Sequence, residues 1–371
     1  MNYIKKLSSF RNMGKKLDRE FLLNYYSKIG NPQNKLKVIH ITGTAGKGST
    51  AAMVANGLKS AGKKVGLFTS PHLLKLNERI KINNQDISDE DLNNYIKHFF
   101  EEVSGKSFSE YLMLVAVKYF LDKGVEFMVC EASIGGEHDP TNIFNSVATA
   151  ITSIGLDHQN LLGNTKKEIL KNKLGIIRKN IPLFSRLDKK IIREAVKKIG
   201  AEYIKVDRIE KTNLKGYFQK ENAGIAYEIL NYLRVKDDII RSSLKNIAWK
   251  GRLQFIKKNI IVDCAHNPLG MQKLKEYINT LNFDNIYYLF ALSKNKEFKD
   301  YEEYLEGTKE IVFTKPDIFK IADPKDYTIS KKIIENPREA YNYLKNKLKD
   351  NDLLVVCGSI YLASEILSLQ K

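Results

Sequence analysis

One stretch of the sequence carries the residue types that a phosphate-binding loop needs. An apolar run, 38–41, leads into three glycines within six residues, with a lysine beside the second, and a helix-forming stretch, 51–58, follows. Glycines let a loop turn its N–H groups inward, and the start of a helix carries a partial positive charge. The stretch therefore predicts a cradle for phosphate. Its residues are Gly43, Thr44, Gly46, Lys47, Gly48, Ser49 and Thr50.

The spacing of this loop differs from the common P-loop pattern. That pattern has its first glycine five residues before the Gly-Lys pair, where this chain has Ile41. Gly43 makes the loop a shorter form. A glycine-rich turn between a strand and a helix, without a ligand, is the alternative interpretation of this stretch by itself.

Three more polar side chains stand at the ends of predicted strands. Ser70 follows strand 65–68, Glu131 ends strand 127–131, and His158 comes after strand 147–152. Ligands of open α/β sheets bind beyond the carboxyl ends of the strands, and a buried carboxylate is costly without a partner. Glu131 is thus a candidate for binding magnesium, and Ser70 for a metal or phosphate. A structural role is the alternative for each of the three.

Alternating strands and helices must position these residues. Strand, helix and strand over 38–68 form a βαβ unit, which predicts a parallel sheet. A second alternation begins near Trp249. We expect an α/β fold with a P-loop domain around a mainly parallel sheet, residues 1–246, and a smaller Rossmann-like α/β domain, residues 247–371.

Length and composition bound the class of protein. The chain has 371 residues, 43% of them hydrophobic, which favours two folded domains. It has no apolar run long enough to span a membrane, and its first residues lack the apolar core of a signal peptide. The spacing of Cys130, Cys264 and Cys357 fits neither a metal site nor a disulfide framework. We expect a cytoplasmic protein without a membrane partner.

The net charge of +18 has a simple interpretation. The lysines are spread along the chain, and no zinc-finger, RRM or KH signature accompanies them. We therefore expect no nucleic-acid partner, and we attribute the charge to the attraction of anionic small-molecule substrates.

Nine motifs, in their order and spacing, resemble the folylpolyglutamate synthase/dihydrofolate synthase family within the Mur ligase superfamily. The resemblance covers nearly the whole chain, from the helix before the phosphate loop to the last strand. The motifs are GTAGKGST (43–50), TSPHL (69–73), ERI (78–80), CEASIGGEHDPTN (130–142), DHQNLLGNT (157–165), KLGI (173–176), GRLQ (251–254), DCAHNP (263–268) and CGS (357–359).

The resemblance implies a ligase that uses ATP and Mg²⁺ to join the amine of L-glutamate to a pterin-linked carboxylate. A carboxylate is a poor electrophile until it is phosphorylated, so similar enzymes form an acyl phosphate that the amine attacks. The first hypothesis is dihydrofolate synthase activity on dihydropteroate, with folylpolyglutamate synthase activity on reduced folates in the same chain. Residues 1–246 would then be the ATP-binding central domain and residues 247–371 the glutamate ligase domain.

The resemblance also implies roles for single residues. Ser70 and Glu131 match ligands of a first Mg²⁺. Glu131, His158 and Lys173 match ligands of a second Mg²⁺, with Lys173 carried as a carbamate. Four residues of the second domain match residues that reach ATP, namely Arg252, Asp263, His266 and Asn267. The implied catalytic set is Lys47, Glu131, His158, Lys173 and His266.

Three positions depart from the family pattern. Ala45 stands where Asn is usual, Asn172 where Glu is usual, and Glu137 where Arg is usual, which reverses a charge. Ala45 and Glu137 motivate one alternative, a nucleotide-binding regulator without ligase turnover. The other alternative is a Mur-type ligase that acts on a cell-wall precursor. We expect a monomer.

Overall fold

A computed structural model of the protein describes residues 2–10, 18–294, 296–326 and 332–370. The chain forms two compact units, each with its own sheet. The first unit comprises Met1–Asn213 and Gln219–Ile247, and the second comprises Leu214–Phe218 and Ala248–Lys371. The sequence predicts domains at 1–246 and 247–371. That these are independently folding domains stays a prediction.

The first unit is built on a sheet of mainly parallel strands. Its strands, among the described residues, are β1 (Lys37–Thr42), β2 (Val65–Phe68), β3 (Ile80–Ile82), β4 (Gln85–Asp86), β5 (Phe127–Glu131), β6 (Ser146–Ile151), β7 (Pro182–Ser185) and β8 (Glu202–Lys205). They lie in the order β4-β3-β2-β5-β1-β6-β7-β8. Only β3 and β4, at one edge, run antiparallel to their neighbours. The carboxyl ends of β1, β2, β5 and β6 consequently meet at one edge of the sheet.

Helices cover this sheet. Those described up to residue 247 are α1 (Tyr3–Ser9), α2 (Arg19–Lys28), α3 (Lys47–Ser60), α4 (Asp89–Glu102), α5 (Phe108–Asp122), α6 (Gln159–Leu162), α7 (Lys166–Lys173), α8 (Lys190–Ile199), α9 (Tyr217–Tyr232) and α10 (Asp237–Leu244). Every residue of β5 is buried, as expected for a central parallel strand with helices on both faces. The apolar α5 packs in a large core cluster of the unit.

The second unit repeats the plan on a smaller scale. Its strands within the described chain are β9 (Gln254–Lys257), β10 (Ile260–Val262), β11 (Asn285–Phe290), β12 (Glu310–Phe313), β13 (Lys332–Ile333) and β14 (Asp352–Cys357). They lie in the order β13-β12-β11-β14-β10-β9, with β9 antiparallel to β10. The helices described here are α11 (Pro268–Ile278), α12 (Glu302–Leu305), α13 (Pro337–Lys347) and α14 (Ile360–Ser368).

The predicted α/β fold with two mainly parallel sheets is confirmed. The charged stretch 237–247, which precedes the expected domain boundary, forms helix α10 over Asp237–Leu244. Its buried face consists of Ile240, Ser243 and Leu244, which is too few apolar residues for a clear helical pattern.

No helix among the described residues is long and apolar enough to cross a lipid bilayer. Cys130, on β5, is a buried free thiol of the first unit. Cys264 and Cys357, which follow β10 and end β14, are buried free thiols of the second unit.

Candidate active site

The phosphate loop lies between the end of β1 and the start of α3, as the sequence predicts. Gly43 and Gly46 have φ angles of +152° and +87°, which side-chain-bearing residues rarely adopt. A Cβ atom on Gly43 would collide with the Thr152 hydroxyl, and one on Gly46 would collide with the Asn222 side chain. Both glycines are therefore required by conformation and by space. The first N–H groups of α3 have no acceptor within the helix, which suits an anion.

Two lysines converge on one carbonyl oxygen of this loop. Lys47 Nζ donates to the Gly43 oxygen at 3.0 Å, and Lys173 Nζ donates to the same oxygen at 2.9 Å. Lys173 is only 3% exposed, at the end of α7. Burial, and then the charge of Lys47, lowers the pKa of Lys173 to about 7, although Asp157 and Asp139 oppose this shift. An amine at this site is about half neutral near pH 7.

Ser70 and Glu131 are brought together at the same edge of the sheet. Glu131 is the last residue of β5 and is 5% exposed, at the level of Ile41 on β1. Its Oε2 atom accepts a hydrogen bond of 3.1 Å from the Ser70 N–H. A carboxylate beside a hydroxyl-bearing residue provides hard oxygen donors, the type that Mg²⁺ prefers.

His158 lies beyond β6, at the start of the short helix α6. Its φ of +49° places it in the left-handed region, and its N–H donates to Asp157 Oδ1 at 2.9 Å. The side chain is 42% exposed, with Nε2 4.0 Å from the same carboxylate oxygen. Asp157 itself is buried, so a charged group that the sequence reasoning did not single out stands beside His158.

The described residues hold no ready-made cluster of three His, Cys, Asp or Glu side chains for a metal ion. The predicted donors are of mixed type: one hydroxyl, one carboxylate, one imidazole and one lysine. Such a set fits Mg²⁺ only where oxygen atoms from Lys173 carbamate or from a phosphate complete the coordination.

The loop after β5 is fixed by residues whose roles the sequence reasoning missed. The fully buried Asp139 accepts hydrogen bonds from the Ile134 N–H at 2.6 Å and from the Thr141 hydroxyl at 2.6 Å. Burial raises the pKa of Asp139, while these bonds and Lys47 oppose the shift. Thr141 in turn bonds to Nε2 of the buried His40 on β1 at 2.8 Å. The Asp-Pro-Thr-Asn motif was visible in the sequence, but its partner His40 was not.

Glu137 and Asn172, two of the unusual positions, belong to the same region. The Glu137 side chain is exposed, and its N–H donates to the Asn172 carbonyl at 3.0 Å. Asn172 Oδ1 also accepts from the Gly136 N–H at 3.0 Å. The shape of this loop therefore depends on Asn172 and on the Glu137 backbone, and the reversed charge lies at the surface.

Helix α9 supplies two buried amides to the phosphate loop. Gln219 Nε2 donates to the Ser49 hydroxyl at 3.2 Å, and Asn222 Nδ2 donates to Gln219 Oε1 at 3.0 Å. Asn222 also packs against Gly46. The only signal in the sequence was a pair of amides three residues apart on an otherwise apolar helix face.

The second unit holds the other four predicted residues. Asp263 follows β10 and accepts hydrogen bonds of 2.7 Å from the N–H groups of Leu253 and Ala265. Burial raises the pKa of Asp263, and the Arg252 guanidinium, these bonds and His266 oppose the shift. His266 Nδ1 lies 2.8 Å from the Cys264 oxygen, and Asn267 caps α11 through the Gly270 N–H.

The family models and relatives agree on this chain. The Mur ligase middle domain matches residues 41–245, and the Mur ligase glutamate ligase domain matches residues 251–360. A dihydrofolate synthase/folylpolyglutamate synthase of Bacillus subtilis strain 168 is 30% identical over 395 residues, covering 92% of each chain.

Solved structures extend the likeness to three dimensions. The apo form of L. casei folylpolyglutamate synthase matches with a TM-score of 0.85 at 26% identity, covering 100% of this chain and 99% of the other. A folylpolyglutamate synthase complex with AMPPCP and folate matches with a TM-score of 0.84 at 26% identity and the same coverage. The chain belongs to the folylpolyglutamate synthase/dihydrofolate synthase family of Mur ligases.

Proposed function

We propose that this protein joins L-glutamate to dihydropteroate, and also to reduced folates, through an acyl phosphate. It is an ATP-dependent, amide-forming ligase of the Mur type, and in this proposal it uses a divalent metal. The observation that carries the acceptor proposal is the extent of the likeness: a relative of this named activity is 30% identical over 92% of the chain. A related complex holding a nucleotide analogue together with folate supports it.

The phosphate loop binds the nucleotide in this proposal. The N–H groups at the start of α3 and the Lys47 ammonium face negative charge on the β- and γ-phosphates. The substrate carboxylate oxygen attacks the γ-phosphorus, and ADP leaves. The glutamate amine then attacks the acyl carbon, and phosphate and one proton leave.

Ser70, Glu131, His158 and Lys173 are the residues that would hold Mg²⁺. The metal supplies neutralisation of phosphate charge when it is bound. The Ser70 backbone N–H lies 3.1 Å from Glu131 Oε2, so the two residues are neighbours, and the Ser70 hydroxyl and the Glu131 carboxylate are the proposed donors to one ion. Glu131, His158 and Lys173 form the proposed donor set of a second.

The environment of Lys173 supports its modification to a carbamate. A lysine with a pKa of about 7 has a substantial neutral fraction, and only the neutral amine attacks CO₂. The Nζ–C bond forms, one proton is lost, and a cation becomes an anionic ligand. The positive charge of Lys47 and the loop N–H groups would stabilise that anion.

Arg252, Asp263, His266 and Asn267 are the residues of the second unit that we propose to bind ATP. Two of them are held by local hydrogen bonds, because Asp263 accepts from two backbone N–H groups and Asn267 caps α11. Arg252 and His266 are the residues of this set with a side chain suited to anionic oxygen.

Glutamate-dependent ADP release tests the proposal. The purified protein with ATP and Mg²⁺ should release ADP when both glutamate and dihydropteroate are present, and also with tetrahydrofolate in place of dihydropteroate. Lys47→Ala should abolish turnover, while Lys59→Ala, at the exposed far end of the same helix, should not.

Other outcomes would contradict it. ADP release with a UDP-linked sugar substrate but with neither pterin acceptor would make the protein a cell-wall ligase. Tight ATP binding without turnover on any acceptor would make it a nucleotide-binding regulator.

We also propose that the protein acts as a cytoplasmic monomer. Its buried free thiols are consistent with a reducing compartment. Sedimentation of the purified protein at the mass of one 42.5 kDa chain would support the monomer.

A further inference from the structure

The stretch after β6 forms hydrogen bonds to the phosphate loop through the hydroxyl groups of Thr152 and Ser153. Ser153 Oγ lies 2.8 Å from the Ala45 nitrogen and 2.8 Å from the Ala45 oxygen. It therefore accepts from the N–H and donates to the C=O of a single residue. Thr152 Oγ1 donates to the same carbonyl oxygen at 2.6 Å. We call this arrangement the Ala45 clasp.

Hydrogen bonds of Thr44 to Ser153 and Gly155 extend the clasp. The Thr44 N–H donates to the Ser153 carbonyl at 3.0 Å. The Thr44 hydroxyl donates to the Gly155 carbonyl at 3.1 Å, and the Gly155 N–H bonds to that hydroxyl at 3.0 Å. Two consecutive loop residues are thus held by a segment that also leads to His158.

A glycine-rich loop needs such support, because its residues lose more conformational freedom on ordering than any others. Ala45 lies between Gly43 and Gly46 and has no polar side chain of its own. Whatever fixes its peptide groups must come from elsewhere in the chain. The hydroxyls of Ser153 and Thr152 are the groups that do so.

We propose that Ser153 is a positioning residue for ATP: it orders the phosphate loop before the nucleotide arrives. The inference rests on the proposed ATP-binding role of that loop and adds a residue that no motif assigned. Ser153 touches the loop backbone, and the N–H groups at the start of α3 remain for phosphate.

The opposite interpretation is that the Ser153 hydroxyl competes with phosphate for the Ala45 N–H. The carbonyl half of the clasp argues against it. A fully ionised phosphate oxygen accepts hydrogen bonds and cannot donate to the Ala45 C=O. A hydroxyl both accepts and donates, so Ser153 bonds to the N–H and to the C=O of this residue, which a phosphate oxygen cannot do.

The test is the affinity for Mg²⁺–AMPPNP, measured by titration calorimetry without acceptor or glutamate. Ser153→Ala should bind about five-fold more weakly, which corresponds to the loss of about one net hydrogen bond. The KM for ATP should rise by a similar factor, whereas the KM values for glutamate and acceptor should not change. Ser153→Thr, which keeps the hydroxyl, should restore binding.

Two further variants complete the design. Thr152→Val, which removes the other hydroxyl at nearly constant volume, should weaken nucleotide binding in the same direction. Ser146→Ala is the matched control, because Ser146 begins β6, the strand that leads to Thr152 and Ser153, and its buried hydroxyl has no hydrogen-bond partner among the described residues. It should bind the nucleotide as the wild type does.

The outcomes separate the inference from the proposed function. Unchanged affinity in Ser153→Ala would overturn the positioning role, and tighter binding would show that the hydroxyl blocks the Ala45 N–H. A wild-type protein that bound no nucleotide would instead overturn the ATP-binding role of the loop.

Discussion

The lowered pKa of Lys173 comes from the fold, because nothing in the neighbouring sequence distinguishes this lysine from the others. In the sequence it is one of many lysines, and only the resemblance to a family gave it a role. In the fold it is buried at the end of α7, with its Nζ 2.9 Å from the Gly43 carbonyl. Desolvation and a second lysine on the same oxygen then lower its pKa to about 7. The unusual property comes from tertiary packing, which no sequence window contains.

A dependence on bicarbonate follows from this residue. In CO₂-depleted buffer the wild-type protein should lose most of its turnover, and bicarbonate should restore it, because carbamate formation needs CO₂ and a neutral amine. Lys173→Ala should be inactive at every bicarbonate concentration. Lys171→Ala, on the same helix, is the control and should behave as the wild type does. Full activity of Lys173→Ala would exclude the carbamate.

The three unusual residues can also be judged one by one. At Ala45 the fold uses the backbone, which the clasp holds, in place of a side chain. At Glu137 the reversed charge is exposed. Asn172 is the position with a packing role, because its side chain bonds Gly136 and fills the space beside Gly135. The sequence showed which residue type stands at each of these three positions, but it did not show whether each side chain is buried or exposed.

At the scale of elements, the phosphate loop can be tested through its glycines. Gly46→Ala places a methyl group against the Asn222 side chain, at a φ of +87°. We expect loss of nucleotide binding together with a loss of stability. Gly62→Ala is a matched control, because its φ is +81° but nothing lies within 4 Å of the added Cβ.

The control separates strain from collision. Gly62→Ala should cost about 1 kcal/mol of unfolding free energy, measured by denaturant titration, with turnover unchanged. If Gly46→Ala bound nucleotide as well as Gly62→Ala does, the close contact between α9 and the loop would not be needed for nucleotide binding.

Strand β1 carries a second test, through His40. Burial, and then the charge of Arg178, lowers the pKa of His40 to about 3 from an ordinary value of 6.5. Between these values the unfolded chain binds the proton and the folded protein does not, so the stability contributed by His40 falls as the pH falls through this window. The wild-type protein should lose more unfolding free energy from pH 7 to pH 4 than His40→Asn does. Parallel pH profiles would contradict the burial of a neutral His40.

The elements differ in how well the sequence predicted them. Strands such as β5 and β10, which are short apolar runs, and the capped helices α4 and α11 were recognisable locally. The antiparallel edge strands β4 and β9 were not, because they are short and partly exposed. The contact of α9 with the phosphate loop depends on residues 170 positions apart, Gln219 and Ser49, and was beyond any local pattern.

At the scale of the whole molecule, the net charge of +18 should affect the kinetics. All the proposed substrates are anions, and a folate with several glutamates carries more charge than one with a single glutamate. Raising the ionic strength from about 0.05 M to about 0.5 M shortens the Debye length several-fold and weakens long-range attraction. The KM for a triglutamylated folate should rise more steeply than that for the monoglutamate, with kcat unchanged.

Equal salt dependence for the two folates would contradict this use of the charge. A neutral co-solute of the same osmolality is the control, because it leaves screening unchanged. The presence of two α/β units followed from the alternation of elements, but the order of their strands and the distribution of charge over the surface required the fold.

The three buried cysteines allow the opening of each core to be measured by chemical modification. Each thiol is buried, so a reagent in solution reaches it only when the surrounding core opens. Cys130 reports on the sheet of the first unit, and Cys264 and Cys357 report on the second. The time course of their alkylation in the native protein, read by mass spectrometry of peptides, would measure the opening of each core separately without introducing a single foreign label.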